Sequence, residues 1–158
     1  MIGANWVWYC VTPVGPYAIN GHKFPSDEVQ KEALKSIGDM IVKLKQTGKK
    51  VYLLLNIPVG AVQDPRSSVS RSFSCTEIKD PAPLSVNDFD RQYGVFLKKL
   101  KSTGEQSGAT VLDPLTCLGK GGVYPRSKGG IPMYRDSCHL RASFVRDHVT
   151  YLDETVAE

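Results

Sequence analysis

The feature that most constrains the fold is a continuous apolar run at residues 51–57, VYLLLNI, which ends at Pro58. A strand that is apolar on both faces is typical of the interior of a parallel sheet, because helices cover both faces there. The segment before the run predicts one such helix, since Ser26 is a suitable N-cap and Gly48 a suitable C-terminal stop. Between these two residues, apolar side chains recur at helical spacing at Val29, Leu34, Ile37, Met40, Ile41 and Leu44.

The same alternation extends along the rest of the chain. The aromatic and apolar residues 2–10 predict a first strand, and residues 109–113, which end at Pro114, predict a third. Asn87 or Asp88 caps a predicted second helix that runs to about Leu100, and residues 140–156 predict a closing helix. Strands that alternate with helices in this way indicate an α/β fold with a parallel sheet. The proline-punctuated segment 58–87 interrupts the pattern and is predicted to be a long loop or lid.

Length and charge exclude several classes of protein. A chain of 158 residues is about one domain, and its net charge of +4 comes from scattered Lys and Arg residues. A nucleic-acid-binding protein usually concentrates basic residues on one face, so we predict no nucleic-acid partner. No apolar run approaches the roughly 20 residues of a membrane span, and the first residues lack the pattern of a signal peptide. We therefore find no targeting or membrane signal in this chain.

The four cysteines, at positions 10, 75, 117 and 138, leave two possibilities open. They are either buried thiols or the members of one or two disulfides, which would require an oxidising compartment. No two of them have the spacing of a zinc knuckle, so the sequence predicts no metal site, and no cofactor is predicted.

The residues most suggestive of chemistry are Asp136 and His139, in the segment YRDSCHL at 134–140. Their three-residue separation allows both side chains to lie on one turn before the closing helix. The carboxylate would then orient the imidazole, and the other ring nitrogen would act as a general base. The alternative is that Asp136 only caps the helix and His139 is an ordinary surface residue.

The block 136–145, DSCHLRASFV, resembles the D-x-x-H-L block of SGNH hydrolases. It is most similar to the SGNH domains fused behind the membrane acyltransferase domain of O-antigen and polysaccharide O-acetylases. The preceding segments, VLDPLTC at 111–117 and GIPMY at 130–134, are similar to those that lead into that block. At the start, Gly3-Ala4-Asn5 resembles the G-x-N block, in which Asn donates to the oxyanion. The resemblance covers essentially the whole chain.

This resemblance implies a flavodoxin-like three-layer parallel sheet and a Ser-His-Asp mechanism that transfers or hydrolyses O-acyl groups. Asp136 and His139 would be its catalytic residues and Asn5 its oxyanion-hole candidate. The implied partners are an acyl donor, a carbohydrate acceptor and an upstream membrane acyltransferase domain, on the extracytoplasmic side of the membrane. Such domains often carry a cysteine pair around the loop 118–137, which suggests a disulfide between Cys117 and Cys138. Cys10 and Cys75 stay unassigned, with a weaker expectation that they pair.

The sequence departs from the family pattern at the nucleophile. The family's Gly-Asp-Ser block is absent, since the one Gly-Asp pair, Gly38-Asp39, is followed by Met40 within a predicted helix. We therefore expect residues 1–158 to form a single partial SGNH domain that lacks the first strands and the nucleophile, and that is inactive alone. The segment from Ile2 to Tyr9 would then be an edge strand, with an apolar groove beside Asn5 and the Asp–His turn at its rim.

Two other functions remain open. One is a non-catalytic module in which loop 58–87 contacts a glycan or a partner protein. A less favoured alternative is a metal site formed by Cys117, Cys138 and His139, whose ligands are few and partly adjacent. A Gly-Asp-Ser segment in the reading frame before Met1 would favour the enzyme over the binding module.

Overall fold

The computed structural model describes residues 1–12, 18–19, 22–23, 26–71, 76–78 and 81–156. Its centre is a parallel sheet of three strands: β1 (Ile2–Gly3), β4 (Tyr52–Leu54) and β8 (Thr110–Leu112). The order is β1-β4-β8, with Leu53 opposite both Ile2 and Val111. The spatial order of these three strands follows their order along the chain, which matches the 3-4-5 half of the flavodoxin-like order 2-1-3-4-5. The expected parallel α/β architecture is confirmed.

Two short hairpin strands, β2 (Ala18–Ile19) and β3 (His22–Lys23), separate β1 from the long helix α2 (Asp27–Gln46). Helix α2 begins as the sequence predicts: the Ser26 side chain accepts a hydrogen bond from the Val29 backbone N–H, and two acidic residues occupy the first turn. It ends two residues before Gly48, whose φ of +78° lies in the left-handed region that glycine favours.

The second helical region is one continuous stretch in three parts: α3 (Val86–Phe89), a π-helical turn (Asp90–Gly94) and α4 (Val95–Gln106). Its N-cap is Ser85, whose side chain accepts from the Asp88 N–H. The caps expected from the sequence, Asn87 and Asp88, lie two and three residues after the observed cap. Helices α2 and α4 pack against each other. Both connect neighbouring parallel strands, and right-handed crossovers put them on the same face of the sheet.

The expected strand over residues 2–10 is wrong for most of its length. Only Ile2 and Gly3 pair with β4; residues Trp6–Cys10 form helix α1. The Asn5 side chain caps this helix, and Trp6, Val7 and Cys10 bury one side of it while Trp8 and Tyr9 are exposed. Burial at positions i, i+1 and i+4 is the helical pattern, and a strand would bury alternate residues instead. Among the described residues β1 has a neighbour only on its β4 side, so the edge position holds for a much shorter strand.

Segment 58–87 contains short regular elements. Two 3₁₀ turns (Ala61–Gln63 and Pro65–Ser68) lead into β5 (Val69–Arg71), which pairs with β6 (Thr76–Ile78) as an antiparallel hairpin. The following strand β7 (Leu84–Ser85) pairs with β9 (Val123–Tyr124), which anchors the end of the segment to the C-terminal part of the chain. Its proposed action as a lid stays a prediction.

The C-terminal part is built from short elements: α5 (Pro114–Leu118), the hairpin β10 (Ser127–Lys128) and β11 (Ile131–Pro132), and α6 (Ala142–His148). The expected helix over 140–156 is wrong at both ends. The chain leaves α6 at Val149, whose backbone is extended. Val149 and Thr150 are both β-branched, which disfavours continuation of a helix. A 3₁₀ turn (Asp153–Thr155) follows.

One hydrophobic cluster joins these elements. The most deeply buried side chains within it are those of Val7, Ile41, Leu53, Phe89, Leu100 and Tyr134. Val7 lies two residues after Asn5, and Tyr134 lies two residues before Asp136. The same core therefore positions both of the segments that carry candidate functional residues. No helix among the described residues is both long and apolar enough to cross a bilayer.

Candidate functional site

The turn from Asp136 to His139 is held closed by backbone hydrogen bonds. Asp136 Oδ1 accepts from the backbone N–H of Cys138 and of His139, each at 2.9 Å. This is the Asx-type arrangement in which an Asp side chain replaces a backbone acceptor in a turn. The Arg135 N–H donates to the His139 carbonyl at 2.8 Å and closes the base of the turn. Local sequence is therefore sufficient to form the turn.

The side chains of Asp136 and His139 meet within this turn. His139 Nδ1 lies 2.9 Å from both carboxylate oxygens of Asp136. The backbone N–H of Cys138, followed by the His139 side chain and N–H, lowers the pKa of Asp136 to about 2. An ionised carboxylate can only accept, so in the neutral imidazole the proton is on Nδ1 and Nε2 keeps its lone pair. The expected contact is present; its catalytic role remains a proposal.

The turn is anchored to the rest of the fold on two sides. The Gly60 N–H, in segment 58–87, donates to the Ser137 carbonyl at 3.0 Å. On the other side, Tyr134 is fully buried, and Arg141 Nε donates to its carbonyl at 3.1 Å. The imidazole itself is exposed. The turn is thus a rigid support for a side chain that solvent or a substrate can reach.

Asn5 lines the same groove as His139. A cavity of about 550 Å³ is lined by both residues, together with Trp8, Gly60 and Tyr93. Asn5 is placed by its role as N-cap of α1, where its Oδ1 accepts from the Trp8 N–H at 3.4 Å and from Asn56 Nδ2 at 2.9 Å. Its Nδ2 donates to no group among the residues that the structure describes, so it is available as a donor. The groove expected beside Asn5, with the Asp–His turn at its rim, is present.

A larger cavity of about 940 Å³ lies elsewhere, between helices α2 and α4. Lysines such as Lys31 and Lys98 line it together with Leu34, and its lining contains neither an imidazole nor an Asn. Its size does not make it the site, because the oriented imidazole of His139 and the Asn5 carboxamide line the smaller groove.

The expected disulfide between Cys117 and Cys138 is wrong. Both residues are free thiols. Cys117 lies on α5 at a cavity shared with Phe144 and His148, whereas Cys138 lines the groove beside His139. The two thiols belong to different surfaces, so a bridge would require the Asp–His turn or α5 to move. Cys10 is a buried free thiol, and its expected partner, Cys75, lies outside the described residues.

The structure also alters the candidate metal set. Within the described part of the chain, ligand atoms of Asp136, Cys138 and His139 lie within 4.8 Å of one another, and Cys117 is not among them. Metals bind the thiolate, but burial, followed by the nearby Asp136 carboxylate, raises the pKa of Cys138. The His139 nitrogen nearest Cys138, Nδ1, is already hydrogen-bonded to the Asp136 carboxylate, so it is not free to bind a metal ion. These three residues therefore suit an oriented imidazole better than a metal ion.

Cys138 is poorly placed to be a nucleophile activated by His139. Its Sγ lies 3.4 Å from Nδ1, which is the nitrogen occupied by Asp136. Activation requires contact with the basic nitrogen, Nε2. Among the residues that the structure describes, no hydroxyl or thiol is hydrogen-bonded to Nε2. In that part of the chain, the imidazole of His139 is oriented by Asp136 and has no hydroxyl or thiol at Nε2.

Sequence reasoning missed Asn56, Gly60 and the aromatic lining of the groove. The sequence could have identified Asn56, because it is the one side-chain amide in the apolar run 51–57 and a buried polar group needs a hydrogen-bond partner. Gly60 and Tyr93 reach the groove only through the tertiary fold, and no local pattern identifies them.

The family model of the SGNH domain (fused to AT3 domains) matches residues 1–147. The chain belongs to this SGNH family. The match spans the Asn5 segment and the Asp136–His139 turn, so both segments that carry candidate site residues lie within the family region. This SGNH chain is accordingly a module of the hydrolase or acyltransferase type. No curated protein and no solved structure matches it.

Proposed function

We propose that the groove is the acid–base and oxyanion half of a Ser-His-Asp centre that transfers or hydrolyses O-acyl groups. The observation that carries the proposal is that an Asp136-oriented imidazole and the Asn5 carboxamide line one groove. The sequence contains no Gly-Asp-Ser, so the nucleophilic serine comes from a segment outside these 158 residues. The chain alone is then inactive.

Each residue has a defined step in this mechanism. His139 Nε2 takes the proton from the serine hydroxyl as its oxygen attacks the acyl carbonyl. The carbonyl oxygen becomes an oxyanion, which accepts a hydrogen bond from Asn5 Nδ2. When the intermediate collapses, the leaving oxygen takes the proton from His139, and an acyl-serine remains. An acceptor hydroxyl or water then repeats the sequence in reverse. Asp136 stays ionised and stabilises the imidazolium at each stage.

The acyl group we propose is acetyl, and the acceptor is a carbohydrate hydroxyl. Membership of a family fused to AT3 domains supports this choice, together with an extracytoplasmic location beside a membrane acyltransferase domain. Trp8 adds a physical argument: it lines the groove although half of its side chain is exposed. An exposed aromatic face next to polar groups suits the apolar face of a sugar ring.

The same aromatic lining favours a second candidate function, a non-catalytic glycan-binding module. The two functions differ in their dependence on His139, because binding through Trp8 does not require a base. A glycan that binds equally well to the His139→Ala variant, from a protein that never turns over an ester, would favour the binding module.

The test compares the 158-residue chain with the complete reading frame that contains it, using hydrolysis of 4-nitrophenyl acetate. We expect turnover from a frame that includes a Gly-Asp-Ser segment and its loss in His139→Ala. The chain alone should match its own His139→Ala variant at background. Turnover by the chain alone that requires His139 would contradict an external serine. Turnover by the complete protein that survives His139→Ala would contradict the assigned base.

A further inference from the structure

Asn56 is one of the few polar side chains in the core, with 3% of its surface exposed. It lies just beyond β4, in the apolar run that forms the central strand. Burial of an amide is unfavourable unless its donors and acceptors are paired, so its partners explain its presence. They are the backbone of α1 and the side chain of Asn5.

The hydrogen bonds among these groups have a fixed direction. The Val7 backbone N–H donates to Asn56 Oδ1 at 3.1 Å, and a backbone N–H cannot act as an acceptor. Asn56 must therefore direct its oxygen to Val7, which turns its Nδ2 toward Asn5. Asn56 Nδ2 then donates to Asn5 Oδ1 at 2.9 Å. The orientation of both carboxamides follows from one backbone donor, independently of how similar the oxygen and nitrogen atoms are in shape.

These hydrogen bonds determine which atom of the Asn5 carboxamide is available at the groove. Because Asn5 Oδ1 receives the Asn56 donor and the Trp8 N–H, the Asn5 carboxamide cannot rotate by 180° without losing both bonds. A rotated Asn5 would present a carbonyl oxygen to the groove, which would repel a developing oxyanion. The unrotated form keeps Nδ2 as the available donor.

We propose that Asn56 is a positioning residue that selects the donor face of Asn5 for the groove. The orientation itself is independent of catalysis, and only its use toward an oxyanion rests on the proposed function. A structural role alone, in which Asn56 merely ties α1 to the sheet, predicts no effect on which face Asn5 presents.

The Asn56→Asp variant separates these roles because it keeps size and shape. At pH 8 the new carboxylate accepts from the Val7 N–H but has no proton to donate to Asn5 Oδ1. Asn5 must then rotate so that its Nδ2 donates to the carboxylate. Asn87→Asp, at an exposed position of α3, is the matched control for the added charge.

The readout is hydrogen exchange of the side-chain carboxamide protons, measured by NMR on the full chain. In the wild type we expect the Asn56 protons to exchange slowly and those of Asn5 to exchange about tenfold faster or more, as expected for one unpaired amide. In Asn56→Asp the Asn5 protons should become protected by a similar factor, and in Asn87→Asp they should not change.

Two results would overturn the proposal. One is wild-type Asn56 protons that exchange as fast as those of exposed Asn87; this measurement needs no variant to fold. The other is a folded Asn56→Asp variant in which Asn5 exchange is unchanged. The exchange data do not depend on turnover. If they agree with the proposal while Asn56→Asp leaves the complete enzyme fully active, the oxyanion role of Asn5 fails and the positioning role stands.

Discussion

His139 Nδ1 lies 2.9 Å from both carboxylate oxygens of Asp136, within a turn whose backbone N–H groups bind the same carboxylate. One side chain therefore shapes the turn and orients the imidazole at once. Asp136 can do both because it lies three positions before His139. Removal of the carboxylate therefore affects both the stability of the turn and the orientation of the imidazole, and the pH dependence of unfolding measures the effect on stability by itself.

We expect the stabilising effect of Asp136 to depend on pH in a defined window. Its pKa is lowered to about 2 in the folded chain, from 3.8 in the absence of partners. A lowered pKa means that the stabilisation is complete above about pH 4–5 and is lost as the pH falls toward 2. In urea unfolding, the free-energy difference between the wild type and Asp136→Asn should shrink as the pH falls from 5 toward 2, because the protonated carboxyl group resembles the Asn carboxamide.

The control for this experiment is Asp153→Asn, which removes a charge from an exposed position. A free-energy difference between the wild type and Asp136→Asn that stays constant or grows between pH 5 and pH 2 would contradict the assigned ionisation of Asp136.

Asn5 combines two functions that conservative variants should separate. Asn5→Asp retains an oxygen that caps α1, whereas Asn5→Ala loses it and should destabilise the chain by about 0.5–2 kcal/mol. Both variants lack the Nδ2 donor, so both should lower kcat of the complete enzyme by about 10²–10³-fold. Thermal unfolding and steady-state kinetics measure the two effects. An Asn5→Asp enzyme with wild-type kcat would exclude Asn5 from the oxyanion hole.

The thiols should differ in reactivity according to their surroundings. Burial raises the pKa of Cys10 to about 11, whereas Cys117 is exposed. The thiolate is the reactive form, so iodoacetamide at pH 8 should alkylate Cys117 more than about tenfold faster than Cys10 in the native chain. Peptide mass spectrometry follows each site. Recovery of a Cys117–Cys138 disulfide-linked peptide from the native protein would contradict the observed separation of these residues.

Gly104 marks the closest approach of α4 to the sheet. A Cβ at this position would lie 2.5 Å from Leu53 Cδ2 and 3.1 Å from Val111 Cγ2, and Leu53 is fully buried. We expect Gly104→Ala to destabilise the chain by about 1–3 kcal/mol in urea unfolding. Gly94→Ala is the matched control, because its nearest neighbour, Asp90 Cβ, lies at 3.5 Å. There the gain in helix propensity should leave stability unchanged or higher. Equal effects of the two substitutions would contradict the packing argument.

The elements that local sequence determines were predictable. Helix α2 has a complete set of signals, from the Ser26 cap to Gly48, and β4 has the uniform apolar composition of an interior strand. The Asp136–His139 contact follows from a three-residue spacing. In each case the interacting groups are close in sequence, so local geometry decides the outcome.

The errors arose where a short apolar run fits two structures. Residues 6–10 are aromatic and apolar throughout, and periodicity cannot distinguish a short buried strand from a short helix. Asn5 was the deciding residue, since it caps the helix. The disulfide failed for a different reason: spacing along the chain says nothing about which surface each thiol faces. The pairing of Asn5 with Asn56, 51 residues apart, depends on the tertiary fold and was likewise beyond local reasoning.

The protonation state of the two ring nitrogens of His139 decides whether this residue can be the base of the site. We propose ¹⁵N NMR of the neutral imidazole, with the His139 signals assigned by comparison with His139→Gln. We expect a protonated Nδ1 and a bare Nε2, because Asp136 accepts from Nδ1 and a general base needs a free lone pair at the groove. A neutral His139 with its proton on Nε2 would contradict the assignment of this residue as the base of the site.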